Sequence, residues 1–196
     1  MILSVLLLIS TNAYSQTEIF LSVDGIDSIS MVEVESVIKH RFELIKTGFF
    51  TAVDTAVNED QIKVTFKGWK PSSEQIQMLL TTVGDLELLL LGERPVLLFT
   101  QNDVIDAQGL VKDGVAMLLV KINSTAAEQM GVRTHNAKGQ QVELRWDGQL
   151  HSRLLIGGPM SHLISLTVES KQQAKLMAAV LLSGQLPTGV RVTVIP

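Results

Sequence analysis

Between Ile19 and Leu91 the apolar residues switch repeatedly between strand and helix periodicity, and the order of the switches leaves few folds open. Ile19 to Val23 is a short apolar strand. Ser30 and Glu33 form an S-x-x-E capping box ahead of a helix. That helix places Val34, Ile38, Phe42 and Ile45 on one face, and Gly48 stops it. Thr51 to Val57 is a second strand. After an Asn58-Glu59-Asp60 turn, Ile62, Val64 and Phe66 alternate with Lys63, Thr65 and Lys67, the signature of a strand with one buried and one wet face. Pro71-Ser72-Ser73 opens a second helix whose apolar face is Ile76, Leu79, Leu80 and Val83, with Gly84 closing it. Leu86 to Leu91 is apolar on both faces and is expected in the centre of a sheet.

This β-α-β-β-α-β order predicts a ferredoxin-like α+β sandwich over 16–92, a base subdomain. Gly92-Glu93-Arg94-Pro95 is the expected boundary. The remainder, 96–196, is strand-rich: Val96 to Phe99, Ala116 to Ile122, Val142 to Trp146, Leu150 to Ile156 and Leu163 to Val168. Asp147-Gly148 is a hairpin signal. A short helix is expected from Thr125 to Met130, capped by Thr125 and Glu128 and stopped by Gly131. A longer one follows from Lys171 to Ser183, capped by Ser170 and Gln173, with Ala174, Met177, Ala178 and Leu181 facing the core. Val190 to Ile195 is a closing strand, free to return to the base sheet. The reading is therefore a base followed by an α+β head subdomain.

Composition excludes several functions. With 46% hydrophobic and 18% charged residues, the 196-residue chain carries ample core material. A net charge of -4 does not build the field that nucleic acid requires. There is no cysteine, which rules out disulfides and thiolate chemistry. Ile2 to Ile9 is an apolar run far too short to span a bilayer. Ala13 and Ser15 fit the -3 and -1 positions of a signal peptidase site, so 1–15 is expected to be a signal peptide and Gln16 the mature N-terminus. No Lys or Arg precedes the run. No later segment is apolar over a spanning length, so the mature chain is expected to lack a transmembrane segment.

His40, His135, His151 and His162 do not pair at a metal-ligand spacing. There is no G-x-S-x-G elbow and no phosphate-binding glycine loop, and Gly157-Gly158-Pro159 reads as a turn. Asp103 and Asp106 suit a helix start better than a calcium loop. No catalytic residue, metal ligand or cofactor site is assigned.

One string is more specific. Ala174-x-x-x-Ala178-x-x-Leu181-x-Ser183-Gly184-x-Leu186-Pro187 resembles the end of a helix in the first periplasmic domain of the SecD protein-export family. Small Ala174 and Ala178 would let that helix lie close on a sheet, Gly184 would take a left-handed C-cap, and Pro187 forbids continuation. Thr134, Asn136, Gly139 and Val142-x-Leu144-x-x-Asp147-Gly148-x-Leu150-x-Ser152 resemble the family's hairpin. Arg41, Gly48, Ile62-x-Val64, Gly68 and Leu86-x-Leu88 more loosely resemble its base. Glu143, Arg145 and Trp146 stand where the family has small apolar residues, and Arg153-Leu154 where it has Ala-Pro.

The resemblance implies an exported, periplasmic, non-enzymatic module without the family's transmembrane motor. Its expected partners are unfolded or emerging polypeptides, or the export machinery. The expected contact surface is apolar and uncharged: Trp146 and Leu150 on one hairpin, and the loop Gly157, Gly158, Pro159 and Met160. A structural envelope protein that self-assembles, or joins an envelope complex, is the alternative. A hydrolase is a third reading, and would require a pocket joining a histidine to an acid.

Overall fold

A computed structural model of the protein describes residues 16–24, 28–46, 51–58, 61–187 and 191–195. The expected signal peptide, Gly48 and the Glu59-Asp60 turn lie outside the described residues. The described elements are strand β1 (Gln16–Asp24), helix α1 (Ser28–Ile45), β2 (Ala52–Asn58), β3 (Gln61–Lys67), α2 (Ser73–Thr81), β4 (Leu86–Leu90), β5 (Val96–Thr100), β6 (Val104–Lys112), β7 (Val115–Ile122), α3 (Ser124–Thr134), β8 (Gln141–Trp146), β9 (Gln149–Leu155), β10 (Leu163–Thr167), α4 (Lys171–Ser183) and β11 (Arg191–Ile195).

The base is a four-stranded antiparallel sheet in the order β11-β1-β3-β2. Helices α1 and α2 cover one face, burying Val34, Ile38, Phe42, Leu79 and Leu80 against Leu21, Ile62, Val64 and Phe66. Phe66 meets Phe42 and Trp69 edge to face, with ring centroids 5.0 and 5.4 Å apart. The ferredoxin-like architecture is as predicted, but its fourth strand differs. That place belongs to β11, with Val23 opposite Val192. Strand β4, expected there, pairs instead with β5 and β8 in the head. Gly92–Pro95, expected between subdomains, lies in the hairpin between β4 and β5. Periodicity could not decide this, because a strand that reads as apolar on both faces suits any central position, and two sheets competed for it.

The head contains two antiparallel sheets, β5-β4-β8-β9 and β10-β7-β6. A short 3-10 helix, Gln101–Asp103, stands at the helix start expected around Asp103, while Asp106 lies in strand β6. A bulge between Val104 and Asp106 breaks its alternation, which hides the strand from a period-two search. Asp103 accepts hydrogen bonds from the Thr100 N–H (3.0 Å) and Asn123 Nδ2 (3.2 Å). Helix α3 is longer than predicted. Asn123, not Thr125, caps it by accepting the Ala126 N–H at 2.8 Å, and the helix passes through Gly131. Ser72 caps α2 through a capping box with Gln75, and Ser170 caps α4 through the Gln173 N–H at 3.0 Å.

Helix α4 joins the two cores. Ala174, Met177, Ala178 and Leu181 pack into the head, as their spacing predicts. Leu176, Ala179 and Val180 pack into the base. Ala174 lies so close to β6 that a Cβ on Gly109 would fall 2.7 Å from the Ala174 carbonyl carbon and the Lys175 nitrogen. Gly184 ends the helix with a positive φ of 91°, as the capping argument requires, but its ψ of 171° lies outside the left-handed helical region.

A candidate polypeptide-binding face on the head

Strand β9 is the edge of its sheet: among the described residues only β8 pairs with it. Its position is set from the base side. The β8–β9 turn holds Asp147 at φ 49° and Gly148 at φ 73°. The Asp147 carboxylate accepts the backbone N–H groups of Val83 (3.0 Å), Gly84 (2.8 Å) and Asp85 (2.8 Å). The hairpin tip is thereby tied to the segment that enters the head from α2.

Register determines what this sheet shows to its open side. Leu97, Leu89, Glu143 and Arg153 lie opposite one another across β5, β4, β8 and β9. Leu155 follows two residues after Arg153 on the same face. A bulge shifts the pairing so that Leu150 stands opposite Arg145. The face thus carries exposed leucines around an ionic centre. Leu155 is 71% exposed and Leu150 50%, while Leu154, on the opposite side of the strand, is 41% exposed.

The ionic centre is self-contained. Arg145 Nε donates to Glu143 Oε1 at 2.7 Å, and Arg153 Nε and Nη2 both donate to Glu143 Oε2 at 3.1 Å. The arginines shield the glutamate, which is only 5% exposed although it points away from the core. The Arg145 hydrogen bond, helped by Arg153 and opposed by burial, holds the Glu143 carboxyl below the usual carboxylate range. Glu143, Arg145, Arg153 and Leu154, four of the departures from the SecD pattern, meet on this β8–β9 pair.

The six residues singled out from the sequence fall in different settings. Leu150 lies on the exposed face. Trp146 is half-buried and touches both cores, so it stands behind the hairpin, not on its surface. Gly157, Gly158, Pro159 and Met160 follow the far end of β9, about 20 Å along the strand from Leu150. The Met160 side chain packs partly on the head core, and its N–H donates to Thr134 Oγ1 at 2.9 Å. Sequence reasoning missed Leu154 and Leu155. The signal was present: consecutive leucines in a strand must point to opposite faces, so a strand covered on one side exposes one of them.

All four histidines are exposed. Among the described residues no group of three or more His, Asp or Glu side chains could hold a metal ion. No described helix is long and apolar enough to cross a membrane.

Comparison with solved structures places this architecture. A crystal structure of SecDF in a super-membrane-facing form superposes with a TM-score of 0.72 and 15% identity, covering 90% of this chain. The fold is shared with SecDF. This chain spans 29% of that SecDF chain. A second SecDF structure, described as that of a membrane component that enhances protein export, matches with a TM-score of 0.68 and 14% identity. It covers 92% of this chain and is itself covered over 99% of its length. No protein-family model matches the sequence, and no curated protein matches it significantly. The SecD resemblance read from the helix end and the hairpin is thus borne out as fold, at an identity too low to transfer any residue's role.

Proposed function

We propose that this protein is an exported, non-enzymatic, SecD-like module of the periplasm. In this reading it handles unfolded or emerging polypeptides, or meets the export machinery, through non-catalytic binding. The observation that carries the reading is the free edge of β9, bordered by Leu150, Leu154 and Leu155, on a fold shared with a component that enhances protein export. An unpaired edge offers a row of backbone donors and acceptors, and alternate side chains of an added strand would meet leucines on both sides. Leu150 belongs to this surface. Trp146 supports it from behind, and the Gly157 to Met160 loop extends it past the strand end.

The test is titration of unfolded envelope-protein segments against the wild type, Leu155→Lys, Leu150→Ser and Met160→Ser. Leu155 and Leu150 are exposed, so those variants should fold. Losing one leucine contact weakens binding by about tenfold. Wild-type binding that both leucine variants leave unchanged would remove β9 from the account. Absence of binding, together with a concentration-dependent dimer that Leu155→Lys dissolves, would favour self-assembly through the same edge.

A further inference from the structure

The base sheet ends at β11, which among the described residues pairs with β1 alone. Val192 and Val194 stand opposite Val23 and Leu21, both buried in the base core, so the two valines point to the helix-covered face. The cover stops between them: Val192 is 8% exposed and Val194 46%. An open groove of about 460 Å³ runs between this strand and α2. Its helical wall is Ser73, Ile76, Gln77, Leu80 and Thr81, a single stripe at i, i+3, i+4, i+7 and i+8. Val192 and Val194 form the other wall, and among the described residues no charged one lines it.

The two edges of this sheet differ. At the β2 edge, Thr55 Oγ1 donates to Glu35 of α1, Val53 is buried, and an Asp54–Lys67 ion pair at 2.6 Å sets charge beside the strand. Cover and charge of this kind discourage a further strand from adding. At β11, residues 192–195 are uncharged, the register with β1 runs without a bulge, and Val194 is left uncovered. The strand that fits this edge is β11 itself. A two-fold axis at Thr193 sets Val192 against Val194 of a second copy, and Val194 against its Val192, so one pair of side chains fills the seam from both sides. The same axis brings together two uncharged α2 stripes, which can approach without burying an unpaired charge.

We infer that β11 is a dimerisation edge, where two copies of this chain pair antiparallel and join their base sheets into one eight-stranded sheet, with both α2 helices above the seam. Roughly ten residues per copy take part, against about 20–30 in a standard interface, so the dimer is weak, of micromolar strength. The inference goes beyond the polypeptide-binding reading, which uses β9, and stands without it.

Sedimentation equilibrium of the full chain over a range of concentrations tests it, with circular dichroism confirming that each variant folds. The wild type should dimerise reversibly. Val194→Lys should weaken association at least tenfold, because the two-fold axis counts each lost contact twice. Gln77 is exposed at the middle of the helix stripe, so Gln77→Lys and Gln77→Glu should each weaken the dimer alone, and an equal mixture of the two should restore it. Leu155→Lys, on the β9 edge, should leave it unchanged. A chain that stays monomeric up to about millimolar concentration would overturn the inference. So would a dimer that Leu155→Lys dissolves and Val194→Lys does not, which would assign association to β9. A monomer that binds unfolded envelope-protein segments, and loses them on Val194→Lys, would likewise overturn it and give the groove to a client strand.

Discussion

Gly109→Ala tests the closeness of α4 to β6. The added methyl would fall 2.7 Å from the Ala174 carbonyl carbon and the Lys175 nitrogen, and 2.9 Å from the Ala174 Cβ. Comfortable carbon contacts need about 3.5–4.0 Å, so the helix would have to withdraw by about 1 Å. Two of the obstructing atoms are backbone and cannot rotate away. Withdrawal is also resisted from behind, because Leu176, Ala179 and Val180 fill the base core with at most 2% exposure. Overpacking costs about 1–3 kcal/mol, and a backbone clash against a helix held on both sides belongs at the upper end. For a chain of this size that predicts a fall in Tm of about 6–12 °C. Thermal unfolding followed by circular dichroism measures it. Adding Ala174→Gly removes only the Cβ and should not restore stability. A Tm unchanged by Gly109→Ala, or a full rescue by Ala174→Gly, would refute the reasoning.

Gly184→Ala meets no neighbour within 4 Å, yet φ 91° with ψ 171° is a region essentially reserved for glycine. Backbone strain alone should lower stability by about 1–3 kcal/mol in denaturant unfolding. Glu143→Gln should destabilise at neutral pH. Because the folded carboxyl titrates below its ordinary value of 4.5, the stabilisation is present above the unfolded pKa and lost as pH falls through the folded one. The stability difference between wild type and variant should therefore shrink as the pH falls below the ordinary carboxylate range. Mass spectrometry of the protein from its native envelope should find Gln16 at the N-terminus, and an intact Met1 would sink the export reading.

Much of the fold was legible because its signals are local. The alternation Ile62, Val64, Phe66, the Ser72 and Ser170 caps and the Asp147-Gly148 turn each act within a few residues, and each appears where its pattern places it. The partner of β4 was not legible, since Leu86 to Leu90 suits the centre of either sheet. Nor was the second buried face of α4. Leu176, Ala179 and Val180 read as the back of a one-sided helix until a second core is seen to need them. At the candidate surface, Leu150 could be named from its hairpin, but the exposure of Leu155 depends on β9 being an edge strand, which no local pattern encodes.

The pairing of β1 with β11 imposes an order of events on folding. During vectorial synthesis β1 emerges before every strand of the head, but one of its two neighbours, β11, emerges after all of them. Helix α4, which supplies part of the base core, also comes late. The head sheets draw all their strands from 86–167 and can assemble first, while the earlier base elements wait with apolar surface uncovered. Closing a contact between Phe20 and Ile195 also requires the longest loop in the described chain, which favours slow completion. A base sheet built this way is completed only after β11 is free, and until then it remains open to whatever meets unfolded polypeptides.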